Sequence, residues 1–459
     1  MHTHTAHPEG EVTMALTPPE PPPAGGPLLD SARTTAGEPA AAAGSGDLPE
    51  VKGSFIWLLV MAIFGVYVAF VTPIAISLAI RVEQLAPGHE EYLGYITGAG
   101  GLAALLTTPV CGMLSDRTRS RLGRRSPFLL AGTVVGIVAL LVMAAAPGTL
   151  VLGLGWVLAQ MGWGTVVSLL IALQADRLPE SQRGKVSGLS GVVQQVAPIA
   201  GVLMAGGLTG NNLLLFLVPG VFGAVAVILF VCLMREPDSR GMAVTAETLD
   251  LKALARTYVF DPRRCPDFAW NWLGKFLFMF GVIFNTTFTA FFLAARLDMT
   301  VKEVSGTVAV LAGGGVVATM LGAVGGGLLS DRLRRRRVFV LTGGCVYAFG
   351  AVVMALAPGL PLIIVGAALA NLGLGLFAAV DQAVMLDVLP ERETDAGRFT
   401  AIYGFSTSLP QGLAPLVAPV FLAIGTTAGE KNYTLLYFIA AAFSLLGGLA
   451  VALRVKSVR

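Results

Sequence analysis

The chain has 459 residues with a formal net charge of +3, and only 13% of them are charged, about half the share of soluble domains. With 55% hydrophobic residues and a mean hydropathy of +0.75, a soluble fold is excluded. The apolar residues come in runs of 20 or more, long enough to cross a hydrocarbon core of about 30 Å as helices.

Residues 1–53 come first. They hold seven acidic and two basic side chains, nine of the 26 prolines, His2, His4 and His7, and the run Ala40 to Ala43. This composition predicts a disordered cytoplasmic tail, and it has no basic start followed by an apolar core, so no signal peptide is read here. Met14 is a second possible start. Cys111, Cys232, Cys265 and Cys345 form no CxxC pair, and their spacing gives neither a disulfide framework nor a metal site.

Twelve apolar runs follow, broken by Pro, Gly and charge clusters. They extend from Ser54 to Ile80, Tyr92 to Leu114, Pro127 to Ala146, Leu150 to Gln174, Val186 to Leu208 and Leu213 to Met234. After a linker at 235–267, with an amphipathic stretch around Leu249, Leu251 and Leu254, the second six extend from Phe268 to Ala295, Val304 to Leu329, Val338 to Ala357, Leu360 to Leu386, Phe399 to Ile424 and Tyr433 to Leu453. The expected fold is all-α and integral to the membrane. Six-helix bundles are expected at 54–234 and 268–454, with a short cytoplasmic tail at 455–459. Basic residues are retained on the cytoplasmic side. Placing both termini inside puts 26 of the 31 Lys and Arg there and leaves Arg81, Arg296, Lys302 and Lys431 outside, with Lys275 within a span.

The two blocks repeat one another. Gly112-Met113-Leu114-Ser115-Asp116-Arg117 returns as Gly327-Leu328-Leu329-Ser330-Asp331-Arg332, 215 residues on, each time ahead of an arginine cluster. Asp176-Arg177-Leu178-Pro179 likewise matches Asp387-Val388-Leu389-Pro390, 211 residues on. A duplicated bundle suits alternating access, in which one half rocks against the other around a central site.

These residues resemble a known family. Gly112, Asp116 and Arg117 followed by Gly123, Arg124 and Arg125 are similar to the signature loop between helices 2 and 3 of the major facilitator superfamily, with a longer spacing from Asp to Gly than the general pattern. In the second copy Arg334 replaces the expected Gly. The stretch from Ser115 to Phe128, with Leu389-Pro390 and Leu409-Pro410-Gln411, resembles the sucrose-type and glycoside-pentoside-hexuronide symporters. The resemblance covers residues 54–454. It implies a twelve-helix secondary transporter whose helices 1, 4, 7 and 10 line the cavity, and gate loops that stabilise one access state. Physically, Asp and Arg at helix ends can cap neighbouring helices and ion-pair across the bundle interface. The alternative for the arginines alone is that they serve only to orient the chain.

Charge inside a span is costly and marks a functional candidate. Lys275 lies about 10 Å in from the cytoplasmic end of helix 7, and Asp381 lies at a similar depth in helix 10. On the implied fold they sit on facing walls, so an ion pair is expected. Either proton binding competes with that pair and couples proton entry to a conformational change, or the pair is a static bridge. Polar stripes on the same walls, Tyr67 on helix 1, Trp156, Gln160 and Trp163 on helix 4, Asn271 and Asn285 on helix 7, Asn371 and Gln382 on helix 10, with Gln411 on helix 11, suit a sugar or another polar organic solute. Taken singly, each can equally be a packing residue.

No Walker A pattern is present, so ATP-driven pumping in this chain is not expected. Ala197-Pro198 keeps only part of the drug-antiporter signature of helix 5. Helix 2 lacks the paired aspartates of the sodium-coupled melibiose carriers, which leaves the proton as the expected coupling ion and no cofactor or metal. The reading is a non-enzymatic, monomeric plasma-membrane transporter, a proton-coupled symporter of a sugar-like solute, with the lipid bilayer and no nucleic acid as partner. A proton-driven exporter is the first alternative. A non-transporting sensor on the same fold is the second, and the six residues after Leu453 leave little room for a signalling tail.

Overall fold

A computed structural model describes residues 50–234, 236, 238–241, 260–390, 396–425 and 431–458. The expected tail up to residue 49 and the amphipathic stretch around Leu249, Leu251 and Leu254 lie outside these residues.

The described elements are helices. The first half holds α1 (Gly53–Leu85), α2 (Glu91–Arg117), α3 (Ser126–Ala144), α4 (Thr149–Arg177), α5 (Glu180–Gly206) and α6 (Asn212–Leu233). The second half holds α7 (Pro266–Thr287), continued by Thr289–Leu297, α8 (Ser305–Leu333), α9 (Arg336–Leu356), α10 (Leu360–Val388), α11 (Ala396–Ala423) and α12 (Tyr433–Arg454). Eleven of them are long and apolar enough to cross a bilayer, and α7 with its continuation, bent by 49°, makes twelve. Several run past the expected ends by a turn because a helix, once nucleated, continues through polar residues at the membrane surface. In α1 the ring of Pro73 removes a donor, and the chain absorbs the break as one π-turn over Pro73–Ser77, closed by Leu78 N–H donating to Pro73 O.

The helices are apolar around most of their circumference because one side meets lipid and the other meets protein. Leu106, Val134, Leu150, Val310 and Phe349 point outward. Inward, small residues bring backbones together: Gly136 of α3 against Gly162 of α4, Gly65 of α1 against Gly223 of α6, and in the second half Gly350 of α9 against Gly366 of α10 and Gly274 of α7 against Gly447 of α12. A Cβ on Gly162 would stand 2.8 Å from Gly132 O, so these contacts depend on glycine.

Each half packs in the same order, and the halves meet through α2 against α11 and α5 against α8, the pair of contacts a pseudo-two-fold axis requires. An even number of spans puts Gly53 and Arg454 on one side, here the terminal side. On the opposite, distal side the bundles are clasped. Lys431 Nζ lies 2.8 Å from Glu91 Oε2, the Tyr433 hydroxyl donates to Glu90, and Val301 N–H donates to Glu83 at 3.4 Å. Gly94, Gly98 and Gly101 let the distal half of α2 lie directly on Gly412, Leu416 and Pro419 of α11. Towards the termini α2 and α11 part: a Cβ on Gly112 or Gly404 would meet nothing within 4 Å, and a cavity opens between the two helices. The molecule is therefore closed distally and open towards its termini.

Three of the four exceptions to the charge asymmetry have structural partners. Arg81 donates to Ala146 O at 2.6 Å and Arg296, 215 residues on, donates to Ala355 O at 2.6 Å, so each satisfies carbonyls at the negative end of a helix, α3 and α9 respectively. Lys431 belongs to the clasp.

Candidate functional site

The repeated loops expected to act as gates fold into two equivalent Asp–Arg–Asp triads, with Arg124 as an added member of the first. In the first, Arg125 reaches Asp116 at 3.2 Å and Asp176 at 2.6 Å, while Arg124 reaches Asp176 at 2.8 Å and Asp116 at 3.9 Å. In the second, Arg336 reaches Asp331 at 3.4 Å and also pairs with Asp387. Each triad ties helices of its own half, α2, α3 and α4 or α8, α9 and α10. The expectation that these charges pair across the bundle interface is corrected: in this conformation the interface is open at that level, so a loop carboxylate finds its nearest cation on the adjoining helix of its own bundle. Gly123 takes φ +91°, a backbone that favours glycine, and its turn delivers Arg124 and Arg125 to the carboxylates. Arg334, at the position of the expected Gly, takes the same left-handed region with φ 50°. Arg117 and Arg332 have no ion pair among the described residues, and a Cβ on Gly112 or Gly327 would meet nothing within 4 Å.

The charges inside the spans converge. Lys275 Nζ of α7 lies 3.5 Å from Asp381 Oδ2 of α10. Tyr403 of α11 donates its hydroxyl to Asp381 Oδ1 at 2.6 Å, accepts from Asn271 Nδ2 at 3.0 Å, and presents its ring face to Lys275 Nζ at 4.2 Å. Asp381 is 2% exposed and Lys275 16%, so the carboxylate is held entirely by protein while the ammonium keeps an edge to the outside. Asn271 Oδ1 is buried without a hydrogen-bond partner. Phe268, Met385, Phe399 and Ile402 pack around Tyr403, which shields the acid. Sequence reading missed Tyr403, since a lone Tyr in an apolar run carries no spacing signal. It also missed Arg336, hidden among four consecutive arginines.

Two cavities open between the helices. One of about 360 Å³ lies among α1, α2, α4 and α11 and is lined by Gln160, Ser168, Ser408, Gln411 and Phe70. The other, about 380 Å³, lies between α1 and α7 to α10 and is lined by Asn285, Thr286, Asn371 and Tyr347. Of the residues expected to line a solute cavity, Gln160 and Gln411 reach the first and Asn285 and Asn371 the second. Trp156 and Trp163 do not. Trp156 is buried against Gly100 and stacked on Phe70, and Trp163 fills the space above Gly136, because large rings in helix 4 pack where glycine on the neighbouring helix makes room. Asn271 is taken up by Tyr403. Half-buried Tyr67 and exposed Gln382 line neither cavity.

Twelve spans in two repeats, clasped on one side and parted on the other around amide-lined cavities, have the architecture of a membrane transporter. The family model described as Major Facilitator Superfamily matches residues 55–326 and 307–458, and the chain belongs to that superfamily. Its similarity to curated relatives is local. A general alpha-glucoside permease of Schizosaccharomyces pombe is 32% identical over 106 residues, 22% of this chain and 18% of that protein. A probable polyol transporter 4 of Arabidopsis thaliana is 28% identical over 137 residues, 30% of this chain and 22% of that protein. An acurin A biosynthesis cluster MFS-type transporter of Aspergillus aculeatus is 29% identical over 164 residues, 36% of this chain and 29% of that protein. The matched segments thus span less than a third of each relative. Among solved structures, the nucleoside transporter NupG superposes with a TM-score of 0.68 at 12% identity, covering 86% of this chain and 98% of that one. A bacterial homologue of the human lysosomal transporter Spinster gives 0.67 at 16% identity, covering 88% and 98%. At these identities the likeness concerns the fold.

Proposed function

We propose that the protein is a proton-coupled symporter of a sugar or similar polar organic solute, that its terminal side is cytoplasmic, and that it resides in the plasma membrane. The observation that carries this reading is the buried Lys275–Asp381–Tyr403 network. A carboxylate desolvated and balanced by one ammonium can be stable with the pair intact or with a proton on the acid, and the two forms favour different packing of α7 against α10 and α11. Proton arrival at Asp381 releases Lys275 from its partner, and that change biases which side of the molecule is open. Gln160, Gln411, Asn285 and Asn371 supply the paired donors and acceptors that hydroxyl-rich solutes need, within largely apolar walls. The permease and polyol relatives agree with this solute class. Reconstituted into vesicles, the protein is expected to accumulate a labelled sugar or polyol from a panel when an inward proton gradient is imposed. Absence of gradient-stimulated uptake together with gradient-driven extrusion of cationic dyes would favour an exporter.

A further inference from the structure

The run Arg334 to Arg337 is only partly absorbed by the gate. Arg336 turns into Asp331 and Asp387, and Arg337 donates to Val455 O at 2.6 Å. Arg334 and Arg335 are exposed and have no ion pair among the described residues. Nearby acids are otherwise engaged: Asp331 and Asp387 with Arg336, and Asp267 with the backbone N–H groups of Lys456 and Ser457. Arg454 stacks over Trp270, 5.1 Å from the ring. The two uncommitted guanidinium groups, with Arg337, line a cleft of about 860 Å³ whose other walls are apolar, Leu333, Leu341 and Leu453. Leu333 and Leu453 are 59% and 69% exposed, at the terminal ends of α8 and α12, and the ends of spans of this length reach headgroup depth when they cross a bilayer.

The first repeat shows what belongs in this place. There the chain leaving α6 returns Glu236, whose Oε2 accepts from Arg125 N at 2.9 Å and Ser126 N at 3.0 Å at the start of α3. The chain leaving α12 carries no acid between Val455 and Val458, and no side chain caps the start of α9. One copy is closed by a carboxylate of its own, whereas the other is a basic cleft floored by leucine.

We propose that this cleft between the α8–α9 turn and the end of α12 binds an anionic phospholipid, its phosphate on Arg334 and Arg335 and its acyl chains along Leu333, Leu341 and Leu453. Basic groups at headgroup depth attract anionic lipid by about 1 kcal/mol each, so two should give about 30-fold preference over a zwitterionic lipid.

The test is native mass spectrometry of the full chain released from micelles holding equal amounts of phosphatidylglycerol and phosphatidylcholine. Wild type should retain phosphatidylglycerol preferentially. R334G/R335A should lose that preference, and R121A/K185A, which removes the same charge elsewhere on the terminal side, should keep it. Gly at 334 preserves the left-handed turn. If the double variant does not fold, R335A alone should still lower the preference about fivefold. Preference surviving in R334G/R335A, equal loss in both double variants, or displacement of phosphatidylglycerol by inorganic phosphate would each overturn the proposal, the last by making this a small-anion site.

Discussion

Lys275 and Asp381 sit on different helices, 3.5 Å apart, and one residue of a third helix, Tyr403, touches both, through its hydroxyl on the acid and its ring on the base. Three helices of the second half therefore share one buried charge balance. Any change in the protonation of Asp381 is felt by α7, α10 and α11 together, and α11 is the helix that packs on α2 across the bundle interface.

Removing one partner leaves the other buried and uncompensated. Lys275→Ala should lower stability by about 3–5 kcal/mol, and K275A/D381N by clearly less than the sum of the two single changes. Thermal unfolding of the purified variants in detergent measures this. Additive losses would mean that the pair is not coupled.

Tyr403→Phe removes a hydrogen bond to a charged acceptor while keeping the ring, for about 1.5–3 kcal/mol. Uptake driven by the proton gradient should fall and its pH profile shift, while solute exchange at equal pH on both sides should persist. Exchange and driven uptake falling together would reduce Tyr403 to a packing residue.

The two gate triads are equivalent in place and unequal in burial. The Arg125 side chain is 6% exposed and bound to two carboxylates, whereas that of Arg336 is 29% exposed. Arg125→Ala should cost about 3 kcal/mol or more and Arg336→Ala about 1 kcal/mol, read as shifts in unfolding temperature. Equal losses would contradict the burial argument.

Arg334 holds a left-handed backbone that glycine adopts without strain. Arg334→Gly should therefore leave stability unchanged or raise it by up to about 1 kcal/mol, despite glycine's greater freedom in the unfolded chain. A loss beyond 1 kcal/mol would show that the side chain itself holds the turn.

The distal clasp should respond to pH. Burial pushes the Glu90 carboxyl above the ordinary carboxylate range, against the hydrogen bond from Tyr433 and the charge of Lys431, with Glu91 and Glu83 pushing it further up. Once the clasp opens into water, Glu90 returns towards its ordinary value. The closed form thus binds its proton more tightly. This contribution to closure is fully present below the ordinary pKa and is lost as pH rises through the raised one. In E91Q, which removes the opposing Lys431 pair, the accessibility of a single cysteine at Thr97 should increase across that window, and adding E90Q should flatten the response.

Much of this was legible in the sequence because it rests on periodicities and charges that folding cannot relocate. Apolar runs fixed the spans, and the repeated Asp-Arg motifs marked equivalent loops. The Lys275 and Asp381 charges stood out for lying in hydrocarbon. What was not legible depends on which face of a helix a residue occupies once glycines on a neighbour decide the approach. Trp156 and Trp163 read as a solute platform until Gly100 and Gly136 are seen to receive them. Which cations the loop carboxylates of Asp116, Asp176, Asp331 and Asp387 meet was not legible either, because sequence does not specify which side is open.

The central claim is that solute movement carries a proton through Asp381. The most direct measurement is internal pH, reported by a trapped dye, in vesicles containing the protein at equal pH on both sides as a transported solute from the panel is added outside. The account predicts acidification that tracks solute entry in wild type, and none in Asp381→Asn, which should still exchange solute. Solute entry at undiminished rate with no acidification in wild type would contradict it.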